Sequence, residues 1–503
     1  MKTRRFTGFI LGGIFVLAAL SLLASCGGRS GSGNAAADDG SPTDIAIAFA
    51  FDGVEPPQPG DDIWRTIEEY TNTRLSPTWY TNYTAVVYPT LLASGDMPEI
   101  VTALDIPITK AAVKDGLFWD LDPFLAETEN LSGYHPTIIQ NSKVDGKLIG
   151  VPKVRPLVRR TILYRGDWAE KLGIKHPPTN IPELYEMFRA FAHDDPDGNG
   201  IKDTYGLTTQ TGQGIQFFTF LFGAPNIWEV GPNGEFINHF TTPEYIEGLK
   251  FLKRLYDEKI LHPEWATVNR NQFNIMFTEG MVLGAFLDST NAFQQLGAPL
   301  EEKVPDAWIG SVTHMTNPRG EVRTFGESGH LGWLAIPKTV PEAKAKKVVK
   351  FLDMMSDETM CSLMIWGKEN VHHRMVNGMA VMIPEMESRY VDSIRWPWRL
   401  PLSTVDYEYI AKPGVYSKYA QMQLDVDQEE LKYMVPNPSY PLFSQTLTER
   451  NQNLEQILND AGVQFINGMI TEAQFKDEVE KWKVQGGDLV ARELAADYAA
   501  MMK

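Results

Sequence analysis

Cysteine is nearly absent from this chain, whose 503 residues include only Cys26 and Cys361. Cys361 is followed closely by Leu363 and Met364 and preceded by Met360. We predict that Cys361 is a buried core thiol, because a reactive cysteine needs a polar, electropositive setting. No disulfide is expected, since the analysis of the N-terminus below assigns Cys26 to a lipid.

Positive charge is also scarce. The chain has 46 Lys and Arg against 64 Asp and Glu, a formal net charge of −18. Phosphate backbones are bound by clustered Lys and Arg, so nucleic acid is excluded as a partner. With 43% hydrophobic and 11% aromatic residues, the chain has enough apolar side chains for sizeable cores. Its length favours two domains or lobes.

Catalytic motifs are missing too. There is no HExxH pair and no phosphate-binding loop, and residues 326–330 (GESGH) miss the spacing of a G-x-S-x-G elbow. His372 and His373 would point to opposite faces of a strand, which disfavours a metal pair. A glycoside hydrolase needs two placed carboxylates, and 64 acidic residues supply a pair by chance. We therefore predict no enzyme and no catalytic residue.

The N-terminus has the pattern of a secretion signal. Lys2, Arg4 and Arg5 precede a largely apolar run over residues 6–24. Residues 23–26 (LASC) resemble the bacterial lipobox, in which signal peptidase II cuts before a lipid-modified cysteine. This resemblance predicts that residues 1–25 are removed and that Cys26 carries the lipid, palmitate included. The alternative is an uncleaved membrane anchor.

Residues 26–42 are mostly Gly, Ser, Ala and Asp without a large apolar side chain. This composition predicts a flexible tether. Together with the lipid it places the protein outside the cytoplasm, held to the bacterial cell membrane by the lipid anchor only.

The remaining sequence alternates short apolar runs with helical patterns, which indicates an α/β fold. Residues 44–52 (DIAIAFAFD) are typical of a buried strand. Leu184, Phe188 and Phe191 form one apolar helix face that stops before Asp194. Further helices are predicted over residues 61–70, from 242 onward, and over 344–355 and 489–502.

Several stretches resemble motifs of one family, in order and in spacing. They are residues 91–100 (LLASGDMPEI), 145–152 (DGKLIGVP), 164–168 (YRGDW), 171–173 (KLG), 222–226 (FGAPN), 277–280 (FTEG), 335–338 (AIPK), 366–367 (WG) and 371–372 (VH). The chain resembles the extracellular solute-binding lipoproteins of ABC importers, in the oligosaccharide-binding branch that includes alginate-binding relatives. The resemblance covers residues 44 to 487.

This resemblance implies a periplasmic-binding-protein-like α/β fold of type II, with two lobes and the ligand cleft between them. It places residues 43–155 and 286–360 in the first lobe, and residues 156–285 and 361–503 in the second lobe. The chain is expected to cross between lobes near residues 152–163, 284–288 and 355–368. The implied function is to capture an oligosaccharide and deliver it to ABC permease subunits. A monomer is expected.

Residues 194–207 (DDPDGNGIKDTYGL) resemble the first part of an EF-hand loop. Counted from Asp195, side-chain oxygens stand at positions 1, 3, 5 and 9, a glycine at 6 and a backbone carbonyl at 7. The predicted Ca²⁺ ligands are Asp195, Asp197, Asn199, Ile201 and Asp203. The twelfth position is Gly206 instead of glutamate, and Thr204 stands where the alginate-binding branch has an acidic residue. A polar turn without an ion is the alternative.

Sugar binding needs aromatic faces for the apolar side of the ring and polar partners for its hydroxyls. The chain has 12 Trp and 18 Tyr. In residues 395–399 (RWPWR), an extended backbone would put the two tryptophans on one face and the arginines on the other. The predicted ligand-binding residues are Trp79, Arg155, Trp228, Asp288, Arg395, Trp396 and Trp398. The alternative for residues 395–399 is that these aromatics seal the C-terminal lobe, with the arginines in solvent.

Two other functions stay open at this point. One is a surface enzyme that degrades polysaccharide, and the other is a lipoprotein that senses sugar.

Overall fold

The computed structural model describes residues 40–51, 56–104, 106–279, 282–386, 398, 400 and 411–502. From Pro42 onward the chain forms one compact unit. The predicted signal peptide, Cys26 and most of the tether lie outside the described residues, as do Arg395 and Trp396. Among the helices that are described, none is both long enough and apolar enough to cross a membrane.

The strands, β1 to β16 in chain order, are as follows. They are Thr43–Ala50, Thr73–Tyr80, Ile100–Ala103, Lys143–Val144, Lys147–Leu148, Gly150–Val154, Arg160–Arg165, Trp228–Val230, Phe236–Asn238, Ala285–Ser289, Ile309–Val312, Thr324–Phe325, His330–Ala335, His373–Val376, Met379–Met382 and Met434–Val435.

The α-helices, α1 to α17 in chain order, are as follows. They are Asp62–Thr71, Tyr88–Ser94, Ile106–Lys114, Asp122–Leu125, Pro136–Asn141, Gly166–Lys171, Ile181–His193, Thr211–Leu221, Pro243–Asp257, Arg270–Thr278, Ala292–Lys303, Glu342–Met354, Glu358–Trp366, Lys418–Glu430, Gln445–Ile466, Glu472–Trp482 and Asp488–Met501. Short 3-10 or π turns cover Tyr83–Val87, Leu131–Gly133, His239–Thr241, Leu431–Tyr433 and Lys483–Gly487.

The first lobe is built on a five-stranded sheet in the order β2-β1-β3-β13-β6. β1 runs parallel to β2 and β3, while β13 runs antiparallel to both β3 and β6. Ile45, Ile47 and Phe49 of β1 lie in one core and Ala48 lies in another on the opposite face. Both faces of the sheet are therefore covered, as expected for strands with near-continuous apolar runs.

β13 approaches β3 unusually closely at Gly332. The residue has a φ of +84°, and a Cβ atom there would stand 2.0 Å from the carbonyl oxygen of Ala103. The register of β13 against β6 shifts between His330 and Trp333. Glycine is therefore required where this strand bends into the centre of the sheet.

The second lobe is built on a three-stranded antiparallel sheet in the order β10-β7-β11. Its larger core contains apolar residues of α6 to α9 and of α15 to α17. A second core joins the sheet to α10, α11 and α14. The two cores of this lobe and the two cores of the first lobe agree with the predicted two-lobe α/β fold.

Two chain segments cross between the lobes side by side. Residues 155–159 lead from β6 in the first sheet to β7 in the second, and residues 326–329 lead back from β12 to β13. The backbone N–H of Arg155 donates to the carbonyl of Gly329 at 2.9 Å, and that of Glu327 donates to the carbonyl of Leu157 at 2.7 Å. The first crossing lies within the predicted range of 152–163.

The other two predicted boundaries require correction. The predicted return to the first lobe at 286 falls inside β10, which pairs with β7 from Ala285 to Ser289. The chain returns only at residues 326–329. Cys361, predicted to start the second lobe, lies on α13 in a first-lobe core. The third crossing comes after Tyr416, which packs on that core, and before Tyr419, which lies in a second-lobe core.

Most predicted elements are confirmed. β1 and α1 lie where the sequence indicated them, and the side chain of Asp61 caps α1 by accepting from the N–H of Ile63 at 3.0 Å. α7 ends at His193, and Leu184, Phe188 and Phe191 are fully buried. Cys361 is fully buried as well. These elements could be predicted because helix caps and the spacing of apolar residues are local features of the sequence.

Candidate ligand-binding site

The junction between the lobes holds a network of charged side chains. Arg160, at the start of β7, pairs with Glu327 of the returning segment, with 2.6 Å between Nε and Oε1. Its Nη1 also donates to Oε1 of Gln216 on α8 at 3.2 Å, and its guanidinium lies 4.8 Å from the ring centroid of Phe325. These contacts fix Arg160 between the second lobe and the returning segment.

Arg159 lies beside this pair. Burial lowers the pKa of its guanidinium, and the charge of Arg160 lowers it further. The carboxylates of Glu327, Asp288 and Asp427 act in the opposite direction. Among the described residues, no side chain forms an ion pair or hydrogen bond with this half-buried guanidinium. Arg159 is therefore a cation whose hydrogen-bonding groups are not used by the described protein.

Asp288, a predicted ligand-binding residue, lies on β10 near Arg159. Its side chain is 10% exposed, and Oδ2 is 2.6 Å from Nε of Arg270. Arg270 also donates to Gln295 at 2.8 Å. The carboxylate is therefore held by Arg270 rather than left for a ligand.

Asn226 holds the returning segment 326–329 in place through its side-chain amide. Its buried amide Nδ2 donates to the carbonyl of Gly326 at 2.7 Å and to that of Val435 at 2.8 Å. Asn226 ends the motif at residues 222–226 that resembles the solute-binding family. The structure thus gives this motif residue a positioning role at the junction.

A cavity of about 260 Å³ opens in the second lobe next to the junction. Its lining includes Trp228 and Trp482, whose rings are 6.4 Å apart, and the polar side chains of Gln213, Gln216 and Asn459. Gln216 also contacts Arg160, so the cavity and the charged network share a residue. Flat apolar rings beside amides are the chemistry that a sugar ring requires.

Of the predicted tryptophans that the structure describes, Trp79 and Trp398 come together and Trp228 lies apart from them. Trp79 stacks on Phe49 with centroids 4.4 Å apart, and Trp398 is fully buried against Trp79 and Trp64. This cluster belongs to a first-lobe core, whereas Trp228 lies in the second lobe. Trp398 thus packs in a core, but in the first lobe and not in the C-terminal lobe that the alternative for residues 395–399 named.

Arg155 lies half-buried on the crossing segment 155–159, close to Arg159 in the chain. The sequence analysis missed Arg159, Arg160, Gln216 and Glu327. A signal for two of them was present: residues 153–160 (KVRPLVRR) hold four basic residues and no acidic one. Such a density is unusual in a chain that is acidic overall.

Hydrogen bonds within the predicted calcium loop hold its carboxylates. Backbone N–H groups of Gly198 and Gly200 donate to the carboxylate of Asp195, at 3.1 Å and 3.2 Å. The amide of Asn199 donates to Asp197 at 2.7 Å and to Asp203 at 3.3 Å. Several oxygen donors thus face one another across the loop.

The charges of this loop repel one another. Burial, a hydrogen bond with Asp195 and the charges of Asp203 and Asp195 raise the pKa of Asp197, although the N–H of Asn199 acts in the opposite direction. The amide of Asn199 donates to two of these carboxylates and so offsets part of the repulsion. In the described part of the chain, no three His, Cys, Asp or Glu side chains are already arranged as ligands of one metal ion. The loop fits Ca²⁺ in donor type, and its carboxylates would have to turn inward to bind it.

Comparison with known proteins gives consistent results. The profile of the family "Bacterial extracellular solute-binding protein" matches residues 67–359. The polygalacturonan/rhamnogalacturonan-binding protein YtcQ of Bacillus subtilis (strain 168) is 31% identical over 499 residues, which cover 95% of this chain and 96% of that protein. Lipoprotein LipO of the same strain is 31% identical over 493 residues, with coverage of 95% and 96%. The crystal structure of alginate-binding protein AlgQ2 without calcium ion has a TM-score of 0.68 at 18% identity, covering 91% of this chain and 98% of that one.

Proposed function

Because this chain belongs to the family of bacterial extracellular solute-binding proteins, we propose that it captures an oligosaccharide at the lobe junction and delivers it to the permease of an ABC importer. The observation that carries the proposal is the cavity beside the junction. It combines two tryptophans with three amide side chains and adjoins the paired Arg160 and Glu327. Hinge movement of the two lobes would enclose a ligand there.

The protein acts by binding rather than by catalysis in this proposal. Its full-length relatives are named for binding or as a lipoprotein. The charged pairs at the junction, Arg160 with Glu327 and Arg270 with Asp288, neutralise each other. Incubation of an oligosaccharide with the purified protein should therefore yield no shorter product by chromatography.

The proposal includes a monomer anchored outside the cytoplasm by a lipid on Cys26. The family description and the name of the relative LipO support an extracellular lipoprotein. The lipobox-like residues 23–26 supply the modification site. A Gly-, Ser- and Asp-rich tether would leave the lobes free to reach a permease in the same membrane.

A structural calcium ion in the loop 195–203 is also part of the proposal. Asp195, Asp197, Asn199 and Asp203 would supply side-chain oxygens and Ile201 its carbonyl. The hydrogen bonds that hold Asn199 beside Asp197 and Asp203 support it, because they keep these oxygen-bearing side chains together. The ion would neutralise these carboxylates on the surface of the second lobe and take no part in ligand binding.

Titration calorimetry tests the binding function. The purified lipoprotein in detergent should bind an oligosaccharide with saturable heat at one site. Asn459→Ala and Gln213→Ala each remove one amide from the cavity and should weaken binding about tenfold, as expected for a lost hydrogen bond to a desolvated partner. Gln421→Ala, an exposed glutamine on α14, is the matched control. Equal affinity in all three variants would remove the cavity from the binding site.

A further inference from the structure

β11 forms one edge of the second-lobe sheet, and among the described strands it pairs with β7 alone. The N–H of Gly166 donates to the carbonyl of Trp308 at 2.8 Å, which sets the alternation of hydrogen bonds along this antiparallel pair. Gly310, two residues after Trp308, therefore bonds to β7 as well. The backbone N–H and carbonyl groups of Ile309 and Ser311 point the other way, out of the sheet edge.

A hollow of about 660 Å³ runs along this free edge. Its lining includes Tyr164 from the side of the larger core, Val426 of α14 from the side of the second core, and Ser311 of β11. Residues from both faces of a sheet meet in one hollow only where the sheet ends, because the strands separate the two faces elsewhere. Within the described part of the chain, no hydrogen bond from another segment reaches the outward backbone groups of Ile309 and Ser311.

The segment that leads into α7 pairs with the chain just beyond β11. Asn180 forms a parallel bridge with Thr316, and the N–H of Thr316 donates to the carbonyl of Thr179 at 2.8 Å. Pro177 and Pro178 precede this contact, and proline has no N–H to donate to a neighbouring strand. The chain thus continues the sheet past the end of β11 and leaves the edge of β11 itself open.

The chemistry of the hollow fits an extended peptide. Free N–H and carbonyl groups along a strand select another strand, because only an extended backbone presents its own groups at the matching spacing. A helix uses these groups internally. Trp308, Tyr164, Met422 and Val426 line the hollow and would contact every second side chain of an added strand.

The charges around the hollow favour a basic partner. It is lined by three carboxylates, one lysine and one histidine, which are Glu170, Asp425, Glu429, Lys175 and His176. Glu170 accepts from Nε1 of Trp308 at 3.2 Å and Asp425 accepts from the amide of Gln421 at 2.8 Å, so uncharged donors hold both carboxylates. A second copy of this chain, with its formal charge of −18, would bring the same carboxylates to the contact. Like charges therefore oppose self-pairing at this edge.

We propose that the free edge of β11 is a docking site for an extended, basic segment of a partner protein, which adds to the sheet as a fourth strand. This inference goes beyond the proposed function and does not depend on it. The hollow at β11 and the cavity that contains Trp228 share no lining residue, so docking and sugar capture can be measured separately.

Fluorescence anisotropy with a labelled short peptide, in which lysine and valine alternate, tests the docking site. The wild-type lipoprotein should bind this peptide about tenfold or more tightly than the same peptide with glutamate in place of lysine, because the lining carboxylates attract one and repel the other. Proline in place of the central residue of the lysine peptide should weaken binding about tenfold, because it removes a donor from the added strand.

Ser311→Pro removes an outward N–H from β11 itself. Proline is tolerated on an edge strand where the N–H faces solvent, so this variant should fold and should bind the lysine peptide about tenfold more weakly. Ser311→Ala keeps the N–H and is the matched control, with the affinity of wild type. A double variant, Glu170→Gln with Asp425→Asn, should also weaken the lysine peptide about tenfold. Thermal melts check folding, and the double variant carries the test if Ser311→Pro does not fold.

Three results would overturn the inference. Two of them are equal binding of the lysine peptide by Ser311→Pro and Ser311→Ala, and equal binding of the lysine and glutamate peptides by wild type. The third is a wild-type dimer in sedimentation velocity that Ser311→Pro converts to a monomer, which would assign the edge to a second copy of the chain. None of these results bears on sugar capture, because calorimetry with an oligosaccharide measures it independently.

Discussion

Lys110 shows how much a single side chain contributes at the contact between the lobes. It lies on α3 of the first lobe, and its Nζ donates to the carbonyls of Tyr440 at 2.7 Å and Leu442 at 2.5 Å. Leu442 belongs to the main core of the second lobe. Burial lowers the pKa of Lys110 to about 8, against a smaller opposing effect of Asp497. This buried ammonium therefore joins the two lobes away from the crossing segments.

The lowered pKa of Lys110 predicts a change of stability with pH. In the unfolded chain the lysine has its ordinary pKa of 10.5. Between about pH 8 and 10.5 the unfolded state thus binds more protons, and the free energy of unfolding contributed by Lys110 rises with pH, by at most about 3 kcal/mol. The destabilisation caused by burying the charged Lys110 is fully present below pH 8 and is absent above pH 10.5.

Urea unfolding at pH 7.5 and pH 10 measures this effect. Lys110→Met should lose the rise seen in wild type, while Lys476→Met, an exposed control on α16, should keep it. If the free energy of unfolding changed by the same amount between pH 7.5 and pH 10 in all three proteins, the lowered pKa of Lys110 would be contradicted.

The sequence shows where the tryptophans stand in the chain, but it does not show which surface of the fold each ring packs on. Trp64 and Trp168, at the starts of α1 and α6, are both buried. Trp79 and Trp398 were expected at the ligand and pack together in the first lobe instead. Nothing in a local sequence reports which apolar surface a ring meets after long-range packing. The basic run at residues 153–160 was a better local indication of the junction, because a cluster of charges can be read from the sequence without knowing its packing partners.

At the scale of elements, the calcium loop between α7 and α8 gives the clearest prediction. A metal bound only by the folded state stabilises it by RT ln(1 + [L]/Kd), roughly 2.7 kcal/mol at a hundredfold excess over Kd. Calcium should therefore raise the melting temperature of chelator-treated protein. Asp197→Ala should abolish this response and melt no lower than wild type in chelator, because it also removes the repulsion from Asp195 and Asp203.

Differential scanning calorimetry with and without calcium makes this measurement. Asp460→Ala, an exposed aspartate on α15, is the matched control and should respond to calcium as wild type does. A melt of wild type that calcium leaves unchanged would refute the site.

Element boundaries followed from sequence wherever a cap or an apolar stripe marked them. α7 and α9 begin where Asn180 and Thr242 precede a proline-containing first turn. The assignment of elements to lobes was less successful. β10 has the apolar pattern of any buried strand, so its sequence gave no sign that it pairs with β7. Sheet membership depends on partners far along the chain, and local patterns do not carry that information.

At the scale of the whole molecule, the proposed lipid on Cys26 would decide where the protein works. Residues 23–26 predict cleavage before Cys26 and acylation of its thiol. Wild-type protein should fractionate with membranes, and mass spectrometry should find a mature N-terminus at acylated Cys26. Cys26→Ser should lose acylation and either remain unprocessed or become soluble.

Cys361→Ser tests whether any effect is specific to the first cysteine, because Cys361 is buried in the first lobe. It should keep the acyl group and the membrane fraction. An unmodified N-terminus elsewhere in the wild-type protein would contradict the lipid anchor.

The position of β13 also sets an order for folding. β7, β10 and β11 all precede β13 in the chain, so the sheet of the second lobe is complete in sequence before the centre of the first sheet has been made. Until β13 arrives, β3 and β6 each expose an unpaired edge, which invites aggregation. Because contacts between distant segments form slowly, we expect the first lobe to close last. A side chain at position 332 would meet the carbonyl of Ala103, so we expect a substitution of Gly332 to delay this closure and to prolong the exposure of both edges.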